Sequence, residues 1–260
     1  MEDEAVDLER RFGGLRRLYG DAAYARIRAA RFVIVGVGGV GSGCAEALAR
    51  SGVAGLTLID LDHVSESNIN RQIQATSATI GQAKVLALRD RVQGIHPGCD
   101  VNCIEEFVDE ANWAALAPPQ PVAAVIDACD QVRAKTVMAA WALSTRSTLV
   151  IAGAAGGKRQ PHAVQVDDLG LVTHDPLLAS LRQRLRKQHG AARSGKIGVR
   201  CVFSREAVMA PSEVCEVDDS TDTRTDSSLN CHGYGSSVGV TATFGMVLAS
   251  LALESAAAQK

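Results

Sequence analysis

The sequence predicts an α/β fold: a doubly wound, mostly parallel sheet with helices on both faces. Three observations carry this expectation. Short β-rich apolar runs alternate with helical patterns between Arg31 and Ala152, as in parallel strands joined by crossover helices. The first run, residues 32–35, leads directly into Gly36-Val37-Gly38-Gly39-Val40-Gly41. The second run, residues 56–59, ends on an acid, Asp60.

Each element has its own local signal. Residues 1–17 alternate acids and arginines without an apolar core, which does not fit a secretory signal; residues 1–30 are expected to form a helical extension. Residues 31–153 form the glycine-loop half, and residues 154–260 the remainder of the same domain. After the glycines, residues 42–50 read as a helix stopped at Gly52. Residues 82–91 are helical with Lys84 in the first turn. Residues 101–104 and 122–126 are strands, the latter ending at Asp127. Residues 136–143 are a helix and 148–152 a strand. Gly153, Gly156 and Gly157 mark a loop, 163–166 a strand, and 177–188 an amphipathic basic helix.

Charge then separates along the chain. Residues 182–205 hold eight Lys or Arg and no acid; residues 206–226 hold seven acids and one arginine. Residues 218–228 contain no apolar side chain, so a mobile loop is expected over about 206–230. The next stretch, 238–253, is apolar and uncharged for 16 residues. A hydropathy scan begun at residue 234 reads it as a membrane span. It falls short of the ~20 residues needed to cross, so a buried core helix is expected.

Composition narrows the function classes. With 47% hydrophobic residues, wholesale disorder is excluded. The net charge is 27 − 29 = −2, so only a local patch can serve a nucleic acid. Seven cysteines without a CxxC pair fit neither a disulfide framework nor a zinc ribbon. A reducing, cytoplasmic compartment is the expectation.

The glycine run is the first functional feature. Gly36 permits a tight turn, Gly38 lets the backbone approach a phosphate, and Gly41 lets helix pack on strand. The helix N-terminus then offers free N–H groups to an anion. Asp60 is placed to accept hydrogen bonds from ribose hydroxyls. This much is a Rossmann-like unit that suits NAD, FAD and ATP equally.

The segment after the second strand favours ATP. It reads Asp60-Leu61-Asp62-His63-Val64-Ser65-Glu66-Ser67-Asn68-Ile69-Asn70-Arg71-Gln72. A dehydrogenase has no use for Asn68, Asn70, Arg71 and Gln72 there. Arg71 offers a fixed fork of donors to a triphosphate. Lys84, thirteen residues on, opens a helix and suits charge developing on an α-phosphate. Arg71 and Lys84 are both expected on the surface of the cleft. Asp130, just past a strand end and followed by Gln131, suits Mg²⁺ bridging phosphate oxygens. Asp127 reads as readily as a helix N-cap or turn former.

These four motifs, GVGGVG, LTLIDLDHVSESNINRQ, IGQAK and VIDACDQ, resemble the ThiF/MoeB/HesA superfamily, the fold of ubiquitin-activating enzymes. The resemblance implies ATP and Mg²⁺ as cofactors and adenylation of a carboxylate. It implies phosphate contact at Gly39 and its neighbours, ribose contact at Asp60, and base or phosphate contacts from Asn68, Arg71 and Gln72. It places Lys84 on the α-phosphate and Mg²⁺ on Asp130. Asp62, Asn70 and Gln131 are included in the nucleotide site.

Further segments resemble one branch, the tRNA threonylcarbamoyladenosine dehydratases: RFGGLRRLYG from Arg11, GAAGG from Gly153, DPLL from Asp175, GVRCVFS from Gly198 and VTATFG from Val240. That branch implies a homodimer acting on tRNA that carries threonylcarbamoyladenosine, with a cysteine desulfurase or sulfur-acceptor system as a candidate partner. The superfamily's arginine finger, donated by the other subunit, falls on Gly14 here, so Arg17 or Arg16 is expected to serve. Arg182, Arg184, Arg186 and Lys187 become the candidate tRNA contacts. Cys231 is a candidate loop cysteine, although cyclisation from an acyl-adenylate needs no thioester. Two other readings are adenylation of a ubiquitin-like sulfur carrier, against which the missing zinc pairs argue, and a non-catalytic nucleotide-sensing scaffold, against which Arg71, Lys84 and Asp130 argue.

Overall fold

The computed structural model describes residues 6–118, 122–209 and 234–259. Asp7 caps α1 (Leu8–Tyr19) by accepting from the Arg10 amide at 2.9 Å, and α2 (Asp21–Ala29) comes after Gly20. The nucleotide-fold elements are then β1 (Arg31–Val35), α3 (Gly39–Arg50), β2 (Gly55–Ile59), α4 (Lys84–Ile95), β3 (Asp100–Ile104) and the single-turn α5 (Trp113–Leu116). The chain continues through β4 (Ala124–Asp127), α6 (Val132–Thr145), β5 (Leu149–Ala152), β6 (Val164–Asp168), α7 (Pro176–Gln188), β7 (Arg200–Ser204) and α8 (Val238–Ala258).

The strands form one seven-stranded sheet in the order β3-β2-β1-β4-β5-β7-β6. All neighbours are parallel except the β6–β7 edge pair. Alternate residues of each strand enter opposite cores. Phe32, Ile34, Leu58, Ile126 and Val150 pack beneath α3, α4 and α8. Val33, Val35, Val125, Ile151 and Phe203 pack beneath α6 and α7. Burial on both faces is why these strands read as unbroken apolar runs rather than as alternating ones.

Three elements differ from the sequence expectation, the first being the short helix α5, which the sequence pattern does not mark. The segment 198–204 contains β7, a strand that the sequence pattern does not mark, and β7 separates β5 from β6. The apolar C-terminal helix runs past Leu253 to Ala258, so it includes Glu254. Length and apolar composition alone would let it span a membrane. Instead it buries Phe244, Leu248, Ala252 and Ala256 against the sheet and α3. Gly245 permits this approach: a Cβ there would lie 2.4 Å from the Val40 carbonyl oxygen and 2.7 Å from the Cys44 amide.

The N-terminal helices are pinned to this frame. Phe12 meets His96 edge to face at 4.9 Å, and the Arg28 guanidinium lies 4.7 Å over the Phe12 ring. Arg26 donates twice to the Ala257 carbonyl, closing the end of α8.

Glu46 joins α3 to α4. Its buried carboxylate accepts from Arg50 at 2.8 and 2.9 Å and from Arg91. Burial alone would raise this carboxyl, but the two guanidiniums outweigh it and hold it below its usual value of about 4.5. A lowered folded-state value stabilises above the unfolded value and is lost as pH falls through the folded one. Glu46→Gln should therefore cost about 1.5–3 kcal/mol at pH 7, and the gap from wild type should narrow as pH falls below about 4.5. Urea titrations of both proteins at pH 7 and pH 3.5 check this; an equal gap at both pH values refutes it.

Candidate active site

The order of the sheet reverses between β1 and β4, and the connections leaving these two strands diverge to opposite faces. That divergence opens a crevice at the carboxyl ends of the strands. The cavity there measures about 340 Å³ and is bordered by the glycine loop, the ends of β2 and β4, and the segment after β5.

The glycine loop is forced into shape from both sides. Gly36 has φ of 82° and donates its N–H to the Ile59 carbonyl at 2.9 Å. A side chain on Gly41 would put Cβ 1.8 Å from the Gly36 carbonyl oxygen. No side chain caps the start of α3, so its first amides remain available to an anion. Gly36, Gly38 and Gly39 all border the cavity.

Asp60 fixes this loop to the end of β2. One carboxylate oxygen accepts from the Val37 amide at 2.7 Å and the other from the Asp62 amide at 2.9 Å. Each oxygen retains a lone pair for a ribose hydroxyl. Burial pushes the Asp60 carboxyl up, and the nearby Lys84 charge draws it back.

Lys84 departs from expectation. It is buried rather than on the cleft surface, with its ammonium 2.6 Å from Asp62 and its side chain 8% exposed. The charge still borders the cavity. Arg71 also borders it, held by the Ser67 carbonyl at 2.7 Å and by Asn70 at 3.0 Å. Asn68 closes the 3-10 turn Glu66–Asn68 by accepting from the Ser65 amide, and lines the cavity beside Gln72. Asn70 does not line it; its amide donates to the Ser236 carbonyl at 2.9 Å.

Asp130 and Gln131 line the β4 side. Among the described residues no cluster of three or more metal-ligating side chains exists. One carboxylate facing a phosphate pocket suits Mg²⁺, which binds through one or two carboxylates together with substrate phosphates. Asp127 is not an N-cap, since Gln131 precedes α6, but it does accept from the Cys129 amide two residues on, at 3.2 Å, as a turn former does. It is fully buried and accepts from the Lys135 ammonium at 3.0 Å.

Residues 11–257 match the ThiF family. The tRNA threonylcarbamoyladenosine dehydratase of Escherichia coli is 41% identical over 250 residues, spanning 94% of this chain and 92% of that one. Crystal structures of the E. coli dehydratase in complex with ATP and with AMP each superpose with a TM-score of 0.84 at 40% identity. They cover 95% of this chain and 94% of theirs. The chain belongs to the ThiF family, on its tRNA threonylcarbamoyladenosine dehydratase branch.

Several residues at the site have no role assigned by the sequence motifs, although Thr241 falls within VTATFG. Glu106, Phe107 and Val108 reach the cavity from the segment after β3, and Ser236 and Thr241 from the start of α8. Thr241 also donates to the Arg71 carbonyl at 3.3 Å. Gln74 braces the glycine loop through the Val37 carbonyl at 2.8 Å. All depend on contacts between segments far apart in sequence, except Gln74, whose pattern does not differ from its neighbours.

Other expected residues lie away from the cavity. Arg17 is exposed on α1 and does not line this chain's own site. Arg16 is engaged with Glu9 at 3.0 Å. On α7, Arg182 donates to the Leu169 and Val172 carbonyls, and Arg186 to that of Ala192. Both therefore brace loops as well as carrying charge. Lys187 is exposed and Arg184 half-buried. Cys231 lies outside the described residues, as does most of the 206–230 stretch.

Gly41→Ala should weaken ATP binding by at least tenfold and destabilise the fold by about 1–3 kcal/mol, because the obstructing atom is backbone. Gly94→Ala is the control: nothing lies within 4 Å of its Cβ position in α4, so it should leave ATP affinity unchanged and stabilise slightly. Calorimetric titration with ATP compares the two.

Proposed function

We propose that this ThiF-family enzyme uses ATP to dehydrate threonylcarbamoyladenosine in tRNA through an acyl-adenylate. One observation carries the reading: Arg71, Lys84 and Asp130 converge on one cavity with the glycine loop and Asp60. The near full-length likeness to the E. coli dehydratase, crystallised with ATP and with AMP, supports it.

The chemistry needs little from protein nucleophiles. A carboxylate oxygen of the threonyl group attacks the ATP α-phosphorus and pyrophosphate leaves. The carbamoyl group then attacks the activated carbonyl carbon, a ring closes and AMP departs. The net change in the nucleoside is loss of water. Asp60 orients the ribose, and the amides at the start of α3 hold phosphate oxygens. Lys84 and Arg71 balance the charge that grows as the α-phosphorus becomes five-coordinate. Asp130 would hold Mg²⁺, which when bound neutralises phosphate charge. Positioning and electrostatics thus supply the rate.

The enzyme acts as a homodimer in this reading, because Arg17 projects from α1 outside its own cleft, where it suits a neighbouring subunit. The tRNA lies along α7 and the loop after it, where Lys187, Arg193 and Lys196 are exposed and no acid interrupts residues 182–205.

ATP–pyrophosphate exchange should require tRNA bearing threonylcarbamoyladenosine. Exchange supported instead by a ubiquitin-like carrier would refute the assignment. Arg71→Ala and Lys84→Met should each lower turnover about 10²–10³-fold, or ~2.7–4 kcal/mol. Lys84→Met should also lower the melting temperature by a few degrees, since it removes a buried ammonium from Asp62. An unchanged rate in either variant removes that residue from the mechanism.

The tRNA surface has its own test. Reversing Arg184, Lys187 and Arg193 to Glu should weaken tRNA binding and lower its salt slope by about one per lost contact. ATP affinity should not move. Arg186 is left in place because its guanidinium holds the Ala192 carbonyl. Unaltered tRNA affinity would place that surface elsewhere.

A further inference from the structure

Lys135 lies on the first turn of α6, wholly buried, and lines no part of the cavity. Its ammonium donates to Asp127 Oδ1 at 3.0 Å and to the Ala152 carbonyl at 2.9 Å. These partners end two adjacent strands: Asp127 closes β4 and Ala152 closes β5. The same carboxylate oxygen also accepts from the Cys129 amide at 3.2 Å and thiol at 3.0 Å. Its other oxygen, Oδ2, is buried and has no partner.

Stability alone does not account for this pair. Desolvating two charges costs several kcal/mol per ion, and replacing such a pair with apolar side chains is often neutral or stabilising. What distinguishes Lys135 is where its partners lead. Past Asp127, Ala128, Cys129, Asp130 and Gln131 form one wall of the cavity. Past Ala152, residues 153–156 form another. Lys135 also reaches back from α6 to the strand that precedes the first wall, so residues 128–131 become a loop clipped at its base. Asp175 anchors the second wall further out, accepting from the Ala154 amide at 2.9 Å.

We propose that Lys135 is a positioning residue for the adenylation site: by tying the ends of β4 and β5 together through Asp127 and Ala152, it sets the separation of the two cavity walls and the placement of Asp130. The inference rests on the proposed function. Gly36 touches the first wall at Ala128 and Cys129, but the glycine loop has anchors of its own, with the Gly36 amide on the Ile59 carbonyl and the Val37 amide on Asp60. Loss of the tie is therefore expected to appear in turnover rather than in ATP binding.

The test uses the full-length chain in three variants. Lys135→Met removes the charge and the donors and keeps the side-chain length. Lys135→Met with Asp127→Leu removes both buried charges, which restores folding if the single change compromises it. Lys135→Arg keeps charge and donors. In both Met variants, amide hydrogen exchange should quicken at least tenfold in residues 127–131 and 153–156, with β1 and β2 unchanged. The rate of pyrophosphate exchange should fall about 10–10²-fold while the KM for ATP shifts less than about threefold. Lys135→Arg should recover most of the rate.

A double variant with wild-type stability and full turnover would overturn the proposal, as would exchange quickening evenly across the sheet. Selective exchange with an unaltered rate would leave Lys135 a structural clip and defeat the positioning role. If wild type itself shows no adenylation with any carboxylate substrate, the proposed function fails, and the exchange pattern still reports whether the clip exists.

Discussion

A parallel sheet whose strand order reverses must leave a crevice where its connections part, and the rest of this molecule is organised around that opening. Side chains of β1 and β4 cannot fill it, because both strands end at its rim. The backbone must border it directly, which is why glycines sit at Gly36, Gly38 and Gly39. Backbone amides left without helical partners must then be satisfied by something else. Asp60 takes the Val37 amide, and the first amides of α3 are left for an anion. The same omission that would destabilise an ordinary helix start makes this one a phosphate site.

Buried charge is distributed around the opening to match. Lys84 and Asp60 lie close enough that the ammonium opposes the effect of burial on the carboxyl. Below the floor, Lys135 and Asp127 repeat the arrangement with no solvent at all. The second pair touches the first wall only through its backbone and the Cys129 thiol, so it can fix geometry without competing for ligand. Cys129 itself is unsuited to nucleophilic work: burial and the Asp127 charge push its thiol well above the usual value. A site of this type positions and neutralises, leaving bond-making to the groups of its substrates.

The sequence discloses the parts of this site that are local and hides those that are assembled across the chain. Gly36, Gly38, Gly39, Asp60, Arg71, Gln72, Lys84 and Asp130 fall within motifs tied to single strand–loop–helix units, and all border the cavity. Asn70 belongs to the same motif but turns away to hold Ser236. Phe107, Ser236 and Thr241 come from elements whose placement depends on sheet order, which no local pattern encodes. Burial is the other blind spot. Lys84 and Asp127 look like surface residues because charged side chains usually are. Only their partners, Asp62 and Lys135, make burial tolerable, and Asp62 lies 22 positions from Lys84. The strand β7 is hard to read because its run of five residues begins with Arg200, whose guanidinium reaches out to Leu251 and Ser255 at the rim of the sheet.

The C-terminal helix shows why hydropathy alone is ambiguous. A helix that crosses a membrane and one that is surrounded by protein obey the same rule, that apolar side chains occupy nearly every direction. Close approach by a neighbouring helix does not separate them. In α8, Ala242 and Gly245 face Gly43 on α3, where a Cβ on Gly43 would meet the Ala242 Cα at 3.3 Å and one on Gly245 would meet the Cys44 amide. Such small-residue contact brings two backbones together whether the solvent is water or lipid. Here the surrounding positions decide it. Thr241 donates to a loop carbonyl at the cavity, Arg26 closes the far end of α8, and Phe244 and Leu248 enter the core beneath β4 and β5. The helix thus joins the N-terminal extension to the active site, and its buried apolar face, which leaves Val238 and Met246 exposed, holds the glycine loop's own helix in place.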